Sequence, residues 1–380
     1  MRRGPTFQRR GVVEGFFGPP WSMPHRRALF RFGAKRGMNS YLYAPKDDPY
    51  HRERWREPYP KGEWKMLLGL IRAAQEQRID FVYAFHPGKG LRFSAPAPAQ
   101  ALLEKAARFY DAGVRTFAVL FDDIPSCLSH AEDRKHFNGS LAKAEGLWLE
   151  KILERQPASW KKVEWWICPS RYTEDPRLAR MFGSFEPRFW ETLARHLPEP
   201  VACLWTGRAI VPRRISLAHA RKVAHQMRHP LILWDNYPVN DLSMSDEMHL
   251  APLTGRDSRL PEVVYGYLNN PLMQESLSLI PLATCFDYAR HPAAYDPERS
   301  WTEAVRELFG RSSIPHWRAI LDFCERMNRS KVRKRPAAPA PRRLRALREA
   351  HRYLLRNQGR RWFEEFRPWL ARLEAELGQR

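Results

Sequence analysis

Cysteine is scarce in this sequence and long apolar runs are missing, and each shortage excludes a class of protein. The 380 residues include five cysteines, which stand singly and show no CxxC or Cys/His spacing. A disulfide framework and a structural zinc site are therefore disfavoured, and reduced, mostly buried thiols are expected. No stretch of about 18 consecutive apolar residues occurs, so no membrane-spanning helix is expected. The basic start of the chain is not followed by the apolar region of a signal peptide, and we expect a cytoplasmic protein.

Acidic residues are in short supply mainly in one part of the chain. The formal net charge is +22. Residues 311–380 hold 19 Lys and Arg against 7 Asp and Glu, a net charge of +12, which leaves +10 for the first 310 residues. A charge run of this kind usually forms a solvated surface, and contact with nucleic acid is the less favoured alternative.

Residues 1–310 repeat one pattern, in which a short run rich in β-branched and aromatic residues precedes an amphipathic stretch long enough for a helix. The eight runs are GVVEGFF (11–17), NSYLYAP (39–45), IDFVYAF (79–85), RTFAVLFDD (115–123), VEWWICPS (163–170), VACLWTG (201–207), LILWDNY (231–237) and VVYGYLNNP (263–271). Continuous apolar runs are typical of parallel strands covered on both faces. Eight such units predict an α/β fold of the (β/α)8 TIM-barrel class. A doubly wound open sheet is the alternative, but the GxGxxG expected after its first strand is missing.

Polar side chains follow several of these runs, at the point where each predicted strand ends. They are Glu14, Lys46, Asp47, Asp48, Asp122, Asp123, Tyr172, Asp235, Asn236, Asn269 and Asn270. In a (β/α)8 barrel, the carboxyl ends of the strands form the active-site face. One such residue could be a helix cap, but capping does not account for six strands at once. The sequence therefore predicts a site at this end of the barrel.

Residues 311–380 break the pattern and are expected to form a separate, basic helical region. SIPHWRAILDFCERMNRS (313–330) can form one helix, and a Pro/Ala-rich linker is predicted near 331–343. A later amphipathic stripe, at spacings of three to four, consists of Trp362, Phe366, Trp369, Leu373 and Leu377. We expect these helices to pack on the barrel or to pair with a second subunit in a homodimer. Binding to a membrane surface or to nucleic acid is the less favoured alternative.

The segment FAVLFDDIPS (117–126) ends an apolar run with two adjacent aspartates, Asp122 and Asp123. Neighbouring side chains on a regular strand point to opposite faces, so both could face one ligand only where the strand ends. Two nearby carboxylates repel, and one should hold its proton to a higher pH than normal. A metal site or a helix cap would also use such a pair. An acid and a base in one site is, however, the pattern of glycosidic-bond chemistry.

The adjacency of the two aspartates favours one glycosidase mechanism over another. The ordinary retaining mechanism needs a nucleophile and an acid roughly 5 Å apart on opposite sides of the anomeric carbon. Residues adjacent in sequence tend to approach from one side. In substrate assistance, a 2-acetamido group of the sugar is the nucleophile, one carboxylate orients its N–H, and the other protonates the leaving oxygen. Adjacent aspartates suit this division of roles between two carboxylates on the same side of the sugar.

Seven segments occur in an order and spacing that resemble one known family. They are GVVEGFFGPPWS (11–22), YLYAPKDDPYHRERWREPYP (41–60), FAVLFDDI (117–124), CPSRY (168–172), LWTG (204–207), ILWDNYPVND (232–241) and NNP (269–271). The chain resembles glycoside hydrolase family 84, the β-N-acetylglucosaminidases that include protein O-GlcNAcase. The resemblance spans roughly residues 8–295, nearly the whole predicted barrel, and APKDDPYHR followed by WREPYP is a highly specific pattern.

The resemblance implies a (β/α)8 barrel without metal or cofactor. It also implies retaining, exo-acting hydrolysis of terminal β-linked GlcNAc, on glycoconjugates or oligosaccharides, through an oxazoline. Carried over by motif, Asp122 would orient the acetamido group and Asp123 would be the general acid/base. The implied substrate-binding residues are Gly15, Lys46, Tyr172, Trp234, Asn236, Asp241 and Asn270. Tyr172 and Trp234 would form part of the acetamido pocket, and the others would contact the sugar hydroxyls.

The sequence departs from the family pattern at three positions. Phe17 stands where Tyr is frequent, and Pro125 where Asp often follows DDI, so both put the leaving-group preference in doubt. His86 replaces an expected small polar residue, and packing is a better explanation for it than titration in the site. A basic carbohydrate- or nucleic-acid-binding protein on a barrel without catalysis is the alternative function, although the intact aspartate pair argues against it.

Overall fold

A closed barrel of eight parallel strands forms the centre of the molecule, seen in a computed structural model. The structure describes residues 5–88, 90–330 and 341–378. The strands are β1 (Arg9–Glu14), β2 (Ser40–Tyr43), β3 (Asp80–Phe85), β4 (Thr116–Leu120), β5 (Glu164–Cys168), β6 (Ala202–Trp205), β7 (Leu231–Asp235) and β8 (Gly266–Asn269). Each strand overlaps one of the eight apolar runs. The TIM-barrel prediction is therefore confirmed.

Helices occupy most of the connections between strands and the end of the chain. They are α1 (Met23–Lys35), α2 (Lys61–Glu76), α3 (Ala97–Asp111), α4 (Ala131–His136), α5 (Leu141–Arg155), α6 (Pro176–Phe182), α7 (Phe189–His196), α8 (Leu217–Met227), α9 (Glu275–Arg290), α10 (Pro297–Phe309), α11 (Ile314–Ser330), α12 (Pro341–Leu355) and α13 (Arg361–Glu376). The connection from β7 to β8 differs from the others. Residues 236–265, all of them described, contain two 3-10 turns, Leu242–Met244 and Leu260–Glu262, and no α-helix.

Two apolar layers explain why the strands read as continuous apolar runs. One set of strand side chains fills the barrel, and it includes Val13, Leu42, Val82, Leu120, Trp166, Leu204, Ile232 and Leu268. The alternate set, including Val12, Tyr41, Phe81 and Phe117, packs with the surrounding helices. Because successive side chains point to opposite faces, burial of both faces requires apolar residues at nearly every position.

A further apolar core joins the C-terminal helices to the barrel. Side chains of α11, α12 and α13 pack with α9, α10 and the β7–β8 connection. Four members of the predicted stripe, Phe366, Trp369, Leu373 and Leu377, are buried there, and Trp362 is partly buried. The predicted linker lies mostly outside the described residues, and its last three positions begin α12. The C-terminal helices thus pack on the barrel.

All five thiols are free, four of them are buried, and Cys127 is exposed. Within the described residues, no helix combines the length and hydropathy that crossing a bilayer requires.

Candidate active site

A cavity of about 670 Å³ opens at the carboxyl ends of the strands. All nine residues singled out from the sequence line it, namely Gly15, Lys46, Asp122, Asp123, Tyr172, Trp234, Asn236, Asp241 and Asn270. Trp234 lies within β7. The other eight lie in the segments that follow β1, β2, β4, β5, β7 and β8. The volume lies within the range of small-ligand pockets. The cavity can therefore hold a group the size of one sugar.

The backbone after β4 explains how two adjacent aspartates reach one cavity. The strand ends at Leu120, and Asp123 has a φ of +61°, in the left-handed region. Aspartate tolerates this region better than most residues. The alternation of a regular strand is broken there, so Asp122 and Asp123 both line the cavity.

Asp122 is buried and ion-paired on one side only. Lys46 Nζ donates a hydrogen bond to its Oδ2 atom. Its other oxygen, Oδ1, accepts no hydrogen bond from any described residue, and it lies 3.7 Å from His86 Nε2. Burial alone would raise the pKa of Asp122, but the Lys46 ammonium and His86 outweigh it and lower the pKa to about 2. Asp122 is therefore an anion with one oxygen left to accept a hydrogen bond.

Asp123 differs from its neighbour in the direction of its pKa shift. Burial raises the pKa of Asp123, Lys46 acts against that shift, and the negative charge of Asp122 adds to it. The Tyr172 hydroxyl donates a hydrogen bond to Asp123 Oδ1 at 2.9 Å and limits the rise in pKa. Asp122 thus stays ionised, while Asp123 keeps its proton to a higher pH than an ordinary aspartate, in the direction predicted for one of two nearby carboxylates.

His86 is part of the scaffold beneath the aspartates. Its Nε2–H donates to the backbone carbonyl oxygen of Asp122 at 2.8 Å, because a carbonyl can only accept. Burial lowers the pKa of His86 to about 4, although Asp122 acts in the opposite direction. The ring is therefore neutral at neutral pH and supports the backbone of Asp122.

Hydrogen bonds link the residues on the opposite wall of the cavity. Asn236 Oδ1 accepts from Trp234 Nε1 and from Asn270 Nδ2, both at 3.0 Å. Asn270 Oδ1 in turn accepts from the backbone N–H of Gly15 at 3.3 Å. A Cβ atom on Gly15 would lie 2.4 Å from the Trp234 ring, so any larger residue would displace this wall.

Asp241 joins the loop after β7 to the loop after β1. Its Oδ2 atom accepts from the backbone N–H of Phe17 at 2.7 Å. The centroid of the Phe17 ring lies 5.6 Å from Lys46 Nζ and 5.6 Å from the Arg52 guanidinium carbon. Phe17 lines the cavity, whereas Pro125, also expected near the leaving group, is not among the lining residues.

Several lining residues were not singled out from the sequence. Arg52 donates to the carbonyl oxygen of Lys46 at 3.2 Å, and its signal lay in the APKDDPYHR segment already noted. The Lys46–Asp122 ion pair was also missed. Met181 and Leu242 line the mouth and are 56% and 64% exposed. No pattern in the sequence separates such residues from ordinary surface positions.

Five of the strand-end polar residues do not line the cavity, and one of them, Asp47, is exposed. Glu14 pairs with Arg26 at 2.5 Å, and Asp235 pairs with Arg256 at 2.7 Å. Asp48 accepts hydrogen bonds from two tyrosine hydroxyls, and Asn269 donates to a backbone carbonyl. Glu14, Asp235 and Asn269 directly adjoin lining residues in sequence. The alternation of side chains along a strand therefore turns them away from the cavity.

Glu145, on α5, supports the segment that carries Tyr172. Both of its carboxylate oxygens lie 3.3 Å from the backbone N–H of Ser170, which donates to them. Burial raises the pKa of Glu145 to about 8, and the Ser170 hydrogen bonds reduce the rise. The residue is fully buried. Glu145 is therefore uncharged in the folded protein at neutral pH.

We expect Glu145→Gln to stabilise the protein increasingly as pH rises from about 4.5 to about 8. Over that range the folded wild type holds a proton that the unfolded chain has lost, so the wild type loses stability with rising pH. The glutamine carries no such proton and can still accept from Ser170. Thermal unfolding of both proteins across this range measures the effect. A difference in Tm that does not change with pH would contradict the assignment.

The described residues contain no group of three or more His, Cys, Asp or Glu side chains placed to hold a metal ion.

Comparison with known proteins matches most of this chain to one family model. The family model described as beta-N-acetylglucosaminidase matches residues 10–322. The protein O-GlcNAcases of Rattus norvegicus and Mus musculus are each 33% identical over 282 residues, which is 72% of this chain and 29% of theirs. The chain thus spans less than a third of the length of these relatives.

A solved structure is similar over almost the whole chain. A mutant of the Thermobaculum terrenum O-GlcNAc hydrolase superposes with a TM-score of 0.85 at 31% identity, covering 97% of this chain and 82% of that one. On the extent of the family match, the identity to the curated relatives and the shared barrel, this chain belongs to the β-N-acetylglucosaminidases of glycoside hydrolase family 84.

Proposed function

We propose that this protein is a retaining, exo-acting β-N-acetylglucosaminidase that removes terminal β-linked GlcNAc from glycoconjugates or oligosaccharides by substrate assistance. The observation that carries the proposal is the asymmetry of the aspartate pair. Asp122 is ionised with one buried oxygen unpartnered among the described residues, and the pKa of Asp123 is raised. The names of the relatives, O-GlcNAcase and O-GlcNAc hydrolase, support the choice of sugar.

Asp122 acts on the acetamido group of the substrate. The acetamido N–H donates to Asp122 Oδ1, which points the acetamido carbonyl oxygen at the anomeric carbon. As that oxygen attacks, positive charge develops on the forming oxazolinium ring, and the buried carboxylate stabilises it. Lys46 keeps Asp122 ionised throughout, because it holds the pKa of this carboxyl at about 2.

Asp123 transfers protons in both halves of the reaction. In the first half it donates its proton to the glycosidic oxygen, and the leaving group departs as an alcohol. In the second half the resulting carboxylate takes a proton from water as the water attacks the anomeric carbon of the oxazoline. Each half inverts the anomeric centre, so the product retains the β configuration.

The remaining residues bind the sugar. We expect the Trp234 ring to pack against the acetamido methyl group, since aromatic rings provide good apolar contact area. Asn236, Asp241 and Asn270 supply amide and carboxylate groups for the sugar hydroxyls, which need paired donors and acceptors. Gly15 allows the backbone to approach closely, and Lys46 contributes a donor next to Asp122.

Hydrolysis of 4-nitrophenyl β-N-acetylglucosaminide, followed by NMR, tests the proposal. The β-anomer of GlcNAc should form first, and a trifluoroacetamide analogue should react more slowly because its carbonyl oxygen is a weaker nucleophile. The matched control is 4-nitrophenyl β-glucoside, which lacks the acetamido group and should not be turned over. Release of the α-anomer first, or equal rates for the two acyl groups, would rule out substrate assistance.

We expect Tyr172→Phe to reduce kcat/KM by about 10- to 100-fold, because it removes a charge-assisted hydrogen bond in the site. It should also move the alkaline limb of the pH profile to higher pH. The Tyr172 hydroxyl lowers the pKa of Asp123, so its loss raises that pKa, and the acid stays protonated longer. A limb that moves to lower pH would contradict the assignment of Asp123 as the acid.

A further inference from the structure

One part of the β7–β8 connection lines the cavity, and another part packs against the C-terminal helices. Asp241, Leu242, Ser243 and Met244 line the cavity. This connection is also the one that lacks an α-helix of its own among its described residues 236–265. Its backbone therefore lacks the regular hydrogen bonds of an α-helix, and contacts with other elements contribute to its conformation.

Side chains from the C-terminal helices bind the backbone on the other side of the connection. Asn328, on α11, pairs with Met248: its Nδ2 donates to the Met248 carbonyl at 3.1 Å, and its Oδ1 accepts from the Met248 N–H at 3.2 Å. Trp369, on α13, donates from Nε1 to the Asp246 carbonyl at 3.0 Å. Trp301, on α10, donates to the Leu250 carbonyl at 2.8 Å.

Apolar packing holds the same segment. The side chains of Met248 and Leu250 are 0% and 1% exposed, and both belong to the core formed with the C-terminal helices. A buried backbone group left without a partner is costly. Because Asn328 satisfies both backbone groups of Met248, it fixes the path of the chain at that point.

The cavity side of the connection shows why such support matters. Leu242 adopts a φ of +50° and is 64% exposed, a conformation that costs free energy for a leucine. Strain of this kind persists only where the surrounding structure holds the chain. Asp241, immediately before it, is buried and bonded to the Phe17 N–H.

We propose that the C-terminal helices are part of the sugar-binding apparatus, with Asn328 and Trp369 as positioning residues that hold the β7–β8 connection and thereby place Asp241. The proposal rests on the proposed function, since it assigns the sugar as the group that Asp241 contacts. It gives the C-terminal region a role in substrate binding that its basic composition does not suggest.

Asn328→Asp tests this role with little change of shape. The substitution replaces the Nδ2 donor by an oxygen that repels the Met248 carbonyl. We expect KM for the aryl glycoside to rise about three- to tenfold, the range for one hydrogen bond, with kcat changed less than about twofold. Trp369→Phe, which removes the bond to Asp246 together with part of a buried ring, should raise KM in the same direction and covers the case in which Asn328→Asp does not fold.

Asn357→Asp is the matched control, because Asn357 lies in the same region, just after the end of α12, but donates to the carbonyl of Tyr353 within α12. It should leave KM unchanged. In an Asp241→Asn background, the additional effect of Asn328→Asp should disappear, since the residue acts through Asp241. An undiminished rise in KM in that background, or an equal rise with Asn357→Asp, would overturn the proposal.

Hydrogen exchange separates this inference from the proposed function. The backbone of residues 239–250 should exchange faster in Asn328→Asp than in the wild type and should be unchanged in Asn357→Asp. This measurement needs no substrate. A wild type that hydrolyses no β-N-acetylglucosaminide would refute the proposed function alone, whereas unaltered exchange in Asn328→Asp would refute the positioning role of Asn328.

Discussion

Asp123→Asn should lower kcat/KM by about 10²- to 10⁴-fold for substrates with poor leaving groups, the range of general acid–base catalysis. The asparagine cannot protonate the glycosidic oxygen. The loss should be much smaller for a 2,4-dinitrophenyl glycoside, whose leaving group departs as a stable anion. Measuring kcat/KM over a series of aryl glycosides checks this, because the parameter reports the first half of the reaction.

The pH profile gives a second view of Asp123. The wild type should lose activity as pH rises through the pKa of Asp123, which burial and the charge of Asp122 raise above its ordinary value. The variant should lack that alkaline limb with the activated substrate. An unchanged limb, or equal losses for good and poor leaving groups, would show that another group is the acid.

Asp122→Asn should lower kcat/KM by about 10²- to 10³-fold, the loss typical of removing one electrostatic contact to developing charge. Unlike Asp123→Asn, it should do so for all leaving groups alike, because Asp122 acts on the acetamido group. It also leaves the buried Lys46 ammonium without its counter-ion. Kinetics on the same glycoside series distinguish the two aspartates.

The coupling between the two carboxylates makes a further test of Asp122. Its negative charge raises the pKa of Asp123, so replacing it with a neutral amide should move the alkaline limb to lower pH. A limb that moves to higher pH would contradict the electrostatic coupling of Asp122 to Asp123.

Asp47→Asn is the matched control for both variants, because Asp47 is an exposed carboxylate next to Lys46 and does not line the cavity. Its activity should stay within about twofold of the wild type, as surface substitutions usually have small effects.

Much of the fold could be predicted because its determinants are local. Apolar runs of strand length alternate with amphipathic stretches, and all eight runs became strands. The pattern of a strand followed by a helix does not hold in the seventh unit. There DLSMSDEMHLAPLTGRDSRLPE (241–262) contains two 3-10 turns in place of an α-helix. Its apolar side chains Met248 and Leu250 are covered by the C-terminal helices, a contact that no local pattern encodes.

The candidate site could be predicted in part. Residue types and motif order singled out nine positions, and all nine line one cavity. The expectation that polar residues at strand ends form the site also singled out Glu14, Asp235 and Asn269, which point away from the cavity. A period of two decides the direction of each side chain, and the end of a strand cannot be located in sequence to a single residue.

The sequence by itself therefore determined the barrel, the end of it that carries the chemistry, and the pair of aspartates. The tertiary structure alone decided how that pair is divided. Lys46 reaches Asp122 across 76 residues, Tyr172 reaches Asp123 across 49, and Asn328 reaches Met248 across 80. A pKa or a loop conformation depends on which distant groups come within a few ångströms, and that distance exists only once the chain has folded.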